Sequence, residues 1–68
     1  MPPYQERVVE EFKELAERAS KLNTFLMGSM FDNLPRAEQF RMVRQHAAMK
    51  TYAEVLRERI AAFAEAGT

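Results

Sequence analysis

Two stripes of heptad spacing, one in each half of the chain, constrain this sequence more than any other feature. Val8, Phe12, Leu15, Ala19, Leu22 and Leu26 advance by 4, 3, 4, 3 and 4 residues. Met42, His46, Met49, Ala53, Leu56, Ile60 and Phe63 advance by 4, 3, 4, 3, 4 and 3, apolar throughout except for His46. Such steps keep side chains on one helical face and form the seam along which helices pack with left-handed, coiled-coil-like geometry. One short break separates the stripes, so the fold class is all-α: an antiparallel two-helix hairpin assembling into a helical homo-oligomer. The single domain 1–68 places helix one over about 4–27, a turn over about 28–34 and helix two over about 35–64.

Local signals support these limits. Pro2 and Pro3 give a stiff extended start, because proline fixes φ and disfavours the α region in the residue before it. Acids crowd the N-terminal half of helix one and Lys21 sits toward its other end, as the helix dipole favours. Gly28 is expected to supply a left-handed C-cap. Asp32 and Asn33, between Phe31 and Leu34, offer capping groups, and Pro35 fits the first turn of helix two.

The need for an assembly follows from size. A domain of this length buries only about 60% of the surface its unfolded chain exposes, while ordering costs about 1.5 kcal/mol per residue. The chain has no cysteine and one histidine, so neither a disulfide nor a thiolate metal site can staple it. No metal or cofactor is expected, and association with itself is the remaining staple. Val9, Ala16 and Phe25 flank the first stripe, and Phe40, Val43, Ala47, Ala48 and Val55 lie off the second. This surplus marks an interface on a small protein.

Ten basic and ten acidic residues cancel, which leaves no broad basic footprint for long nucleic acid. The stretch 39–53 is locally basic, with Arg41, Arg44, His46 and Lys50 and no acid. Apolar runs are too short for a membrane span or a secretory segment, so a soluble protein of the cytosol is expected. No GxSxG, HExxH, P-loop or GxGxxG motif is present, and neither Ser20 nor Ser29 has a histidine at helical spacing. The glutamates suit solvated faces with partners such as Glu14 to Arg18 and Glu17 to Lys21. The chain is therefore expected not to be an enzyme.

Antiparallel packing about a turn centred near Phe31 places Arg18, Lys21 and Thr24 near Arg36, Arg41 and Arg44, so that Lys21 and Arg44 share a basic region. It sets Tyr4 and Arg7 beside Ile60, Arg59 and Arg57. Cations beside hydroxyls and rings suit a phosphorylated nucleotide, since guanidinium pairs with phosphate and a ring stacks on a base. An ordinary solvated face is the other reading. For His46 the choice is between a half-buried group bonded across the hairpin or an oligomer interface and a ligand contact. For Tyr4 and Tyr52 it is between interface packing and base stacking.

From Tyr4-Gln5-Glu6-Arg7 through Leu34-Pro35 to Arg59-Ile60 and Phe63, the order of residues also resembles a family of small bacteriophage proteins first catalogued from crAss-like phages. The resemblance rests on Tyr4-Gln5-Glu6-Arg7-Val8-Val9-Glu10-Glu11, Glu14-Leu15, Lys21-Leu22 and Phe25 in the first half. In the second half it rests on Leu34-Pro35, Glu38-Gln39, Gln45, Met49-Lys50, Tyr52, Val55-Leu56, Arg59-Ile60 and Phe63. In architecture that family is similar to phage helical-hairpin sponges that counter CBASS and Thoeris immunity by sequestering cyclic nucleotides between protomers. The resemblance implies a non-cleaving anti-defence protein in the cytoplasm of an infected bacterium, with itself and a cyclic di- or trinucleotide as partners. It implies ligand contacts from Tyr4, Arg7, Lys21, Thr24 and Arg59, to which the hairpin register adds Arg44 from the basic region it shares with Lys21. The sponges' tryptophan is absent, and their R-A-V-A-R-P ending is replaced by Arg59-Ile60-Ala61-Ala62-Phe63. A helical module that docks on a host or phage protein is the alternative function, and a small DNA-associated regulator fits the balanced charge less well.

Overall fold

The computed structural model describes residues 1–66, with Ala66 described by its backbone alone. Three helices follow in order: α1 (Pro3–Leu26), α2 (Ser29–Asp32) and α3 (Arg36–Ala66). Proline starts both long helices without a side-chain cap on α1. The Pro2 carbonyl accepts from the amides of Gln5 and Glu6 at 3.0 and 3.2 Å, and the Pro35 carbonyl accepts from Glu38 and Gln39, each at 3.0 Å. Proline costs nothing at such positions, where an amide would have no helical partner.

The connection departs from the expected plain turn. The left-handed cap at Gly28 is not formed: Met27 closes α1 in the right-handed region, and Gly28 is extended at φ −92° and ψ 165°. The reason is that α2 starts at the next residue, and the position before a helix takes β-region backbone. Asp32 ends α2 and Asn33 follows it as its C-cap, so neither caps the start of α3. A side chain from α3 locks the connection instead. The Gln39 amide nitrogen donates to the carbonyls of Phe31 at 3.1 Å and Leu34 at 2.9 Å, with Asp32 at 3.4 Å. Gln39→Met keeps length and removes the donor, and it is expected to lower stability by about 1–2 kcal/mol in urea unfolding. The bonds to Phe31 and Leu34 are partly buried, so water replaces them poorly.

α1 and α3 pack along their stripes. Val8, Leu15 and Leu56 form the buried centre, with Phe12, Met49, Ala53, Ile60 and Phe63 against it. All eight belong to the two heptad rows, so the seam lies where the spacing puts it. The register is shifted from the expected one. Tyr4 meets Phe63 rather than Ile60, Arg59 and Arg57, a displacement of about one helical turn. The cause is α2, whose extra turn and flanking residues move the centre of the connection beyond Phe31.

The result is a rod of 51 × 15 × 14 Å. Its radius of gyration is 15.5 Å, against about 11 Å for a compact chain of this length. Its accessible surface is 5373 Å², roughly 1,000 Å² more than the trend for folded monomers of this mass. Phe40 at 71% and Met27 at 80% exposure are among the side chains that supply it. Among the described residues no helix is long and apolar enough to cross a membrane.

Candidate ligand-binding surfaces

The open end of the hairpin is built around two rings. Tyr4 and Phe63 meet edge to face, with centroids 5.8 Å apart and planes at 83°. This arrangement sets the positive edge of one ring against the negative face of the other. Tyr4 stays half exposed, at 51%, and its hydroxyl accepts from the Gln5 side-chain amide at 3.3 Å. Arg7 lies one turn inward from Tyr4 on α1, and Arg59 lies one turn inward from Phe63 on α3. The ring contact therefore fixes the helix positions of both arginines at the same end of the molecule. A double-mutant cycle on Tyr4→Leu and Phe63→Leu is expected to give a coupling energy of about 0.5–1.5 kcal/mol, and additive losses would show that the rings do not act as a pair.

The other expected residues sit elsewhere. Lys21 lies on the outward side of α1, about 140° around the helix from Val8 and about 21 Å along it from Arg7. Its ammonium pairs with Glu17 at 3.2 Å, both side chains being largely exposed. The Thr24 hydroxyl donates to the Ser20 carbonyl at 3.1 Å within α1. Arg44 lines a shallow depression on the outward side of α3 with Arg41, Gln45, Ala47 and Ala48, and Arg41 itself pairs with Glu38 at 2.9 Å. Within one chain, then, Tyr4, Arg7 and Arg59 lie at one end of the rod, whereas Lys21 and Arg44 occupy the backs of different helices. The outward angle of both residues explains why they do not share a region: the register leaves them at nearly the same level of the rod, on opposite outer faces. Of the two expected glutamate pairs, Glu17 to Lys21 is present, and Glu14 makes no ion pair with Arg18.

A further surface escaped the sequence reading. Phe12, Ala16, Ala19 and Ala53 floor a furrow of about 220 Å³ along one flank of the hairpin, rimmed by Lys50, Glu54 and Arg57. It continues toward Ser20, Asn23 and His46. The signal was available: alanines recur where the two stripes meet, so the helices have too little side chain there to fill the joint. The furrow is smaller than the roughly 300–1,000 Å³ usual for small-molecule sites. His46 is half-buried as expected, but it makes no hydrogen bond across the hairpin. Tyr52 is 46% exposed, away from the buried seam. Among the described residues no three His, Cys, Asp or Glu side chains converge as a metal site.

Comparison with known proteins finds similarity to a protein family and to a phage protein. A family model described as Sequestin matches residues 2–62, which takes in all of α1 and α2 and most of α3. An uncharacterized 7.5 kDa protein of the denB-rIIB intergenic region of Enterobacteria phage T4 is 40% identical over 63 residues, 93% of this chain and 98% of that one. No solved structure matches the chain.

Proposed function

Because the chain belongs to the Sequestin family, we propose that it is a phage anti-defence protein that binds a cyclic oligonucleotide immune signal and withholds it from a host effector without cleaving it. The observation that carries this reading is the span of the match: a family whose name, Sequestin, is consistent with sequestration matches all of α1 and most of α3, including every candidate ligand contact. The phage relative of almost the same length supports a setting in an infected bacterium, and the cytoplasm is the compartment where such signals act. The helical hairpin agrees with the architecture that the resemblance to the phage sponges implies.

The chemistry assigns distinct parts. The exposed ring of Tyr4 stacks on a base, and Arg7 and Arg59 at the same end pair with phosphates, which planar guanidinium groups bind in bidentate fashion. Lys21 and Thr24 lie about 21 and about 26 Å from Arg7 along α1, so they reach that ligand only from another copy. A pocket between protomers is the consequence. Holding a signal against its effector calls for nanomolar affinity, about −12 kcal/mol. Titration calorimetry with a panel of cyclic di- and trinucleotides tests this: one compound is expected to saturate in that range, and a panel without measurable heat contradicts the proposal.

The alternative, a module that docks on a host or phage protein, is favoured by one observation. Met27, Met30 and Phe40 are each at least 70% exposed around the turn end, an adaptable apolar surface of the sort protein partners use. On that reading Met30→Lys abolishes function in infection, while Tyr4→Ala leaves it intact.

A further inference from the structure

α1 covers one side of α3, and the opposite side of α3 carries a second ordered row. Phe40, Arg44, Ala47, Thr51, Val55, Glu58 and Ala62 are all exposed and advance by 4, 3, 4, 4, 3 and 4 residues. This is an eleven-residue period, about 3.67 residues per turn, which holds a row nearly straight along an α-helix. The row is also a palindrome in spacing about Thr51. We infer that it is the interface of a two-fold dimer in which α3 packs antiparallel against α3 of a second copy, with Thr51 on the axis.

The chemistry of the row matches itself only in this register. Reversal about Thr51 lays Phe40 against the second copy's Ala62, Val55 against its Ala47 and Arg44 against its Glu58. Each large apolar side chain then meets a small one, as interdigitating helix faces require, and each cation meets an acid. Symmetry makes every one of these contacts twice. The depression that Arg44 and Ala47 line is open to receive the facing Val55 and Glu58. Phe40 at 71% and Val55 at 49% exposure have no cover within the hairpin. The excess surface of roughly 1,000 Å² per chain is on the scale of the 800 Å² per partner that a stable interface buries. A second copy is therefore the occupant that fits, by both charge and area.

The dimer rests on the sequestering reading only in requiring more than one copy, and it is tested without nucleotide, so its failure is separable from a failure to bind ligand. Sedimentation equilibrium is expected to give an even multiple of the 7.9 kDa chain. Arg44→Glu and Glu58→Arg, each of which sets like charges together twice, are expected to weaken the dimer at least tenfold. The double exchange is expected to restore it, which a purely structural role for either residue does not predict. Because the chain has no other cysteine, Thr51→Cys gives a second readout: mild oxidation is expected to link it into dimers faster than Glu10→Cys on the outside of α1. Circular dichroism confirms that each variant is helical. A monomer at micromolar concentration, single exchanges that leave the mass unchanged, a double exchange that fails to restore it, or Thr51→Cys linking no faster than the control would each overturn the inference.

Discussion

Replacing Leu56 with alanine is expected to lower the free energy of unfolding by about 2–5 kcal/mol, enough to unfold much of a hairpin this thin. Leu56 is the most buried side chain described, at 1% exposure, and only Val8 and Leu15 join it in the buried centre. Removing its isobutyl group takes away the apolar transfer term and leaves a cavity that Met49, Ala53 and Ile60, on the same helix, cannot close by moving toward one another. The contrast is with Val43, half exposed and outside the second row of α3, where alanine is expected to cost well under that. Equal losses at the two positions, measured by urea unfolding monitored through helicity, would place the seam elsewhere.

The largest effects on binding are expected at the open end. Arg7→Ala and Arg59→Ala should each weaken binding of the bound cyclic nucleotide by about 1.5–3 kcal/mol, the range for hydrogen bonds to charged groups. That is roughly a ten- to hundredfold rise in Kd. Neither arginine belongs to the buried seam, so helicity and unfolding midpoint should stay near those of the parent chain. Tyr4→Ala should weaken binding by about 1–3 kcal/mol through lost stacking, with a smaller loss for Tyr4→Phe, which keeps the ring. Raised salt should weaken the parent more than either arginine variant, since each variant has already lost one screened contact. Calorimetry that finds a ligand indifferent to all of these replacements would move the pocket away from the Tyr4 and Phe63 end, with the alanine-floored furrow beside Lys50 and Arg57 as the next place to look.

The parts of this fold that were legible in the sequence are those governed by periodicity. Every core residue lies on a stripe that can be counted by eye, because a helix repeats its faces at fixed intervals whatever surrounds it. The connection was not legible in the same way. A four-residue helix such as α2 offers too few positions to show a period, and glycine before it permits both the left-handed cap that was expected and the extended backbone that occurs. That local difference propagated along the rod: a shift of about one turn moved Tyr4 onto Phe63, whereas Lys21 and Arg44 are kept apart by their outward positions on different helices, not by the shift. Tyr4, Arg7 and Arg59 survived the shift as neighbours because they lie near one end, within a turn of the same ring contact. The furrow was missed because alanine carries no chemical signature, and only its position relative to the facing helix reveals the gap. The second row on α3 is periodic too, but at eleven residues rather than seven, so a heptad reading scatters it among surplus apolar positions.

The claim that this chain holds a signal intact is tested most directly by what it releases. The purified protein is incubated with a mixture of cyclic di- and trinucleotides, freed of unbound compounds by gel filtration and heated to unfold it, and the released nucleotides are weighed by mass spectrometry. The expected result is one cyclic compound, recovered unchanged and in fixed ratio to the chain. Recovery of a linear or shortened product would make the protein an enzyme, and recovery of nothing would leave the open end without a nucleotide ligand; either contradicts sequestration.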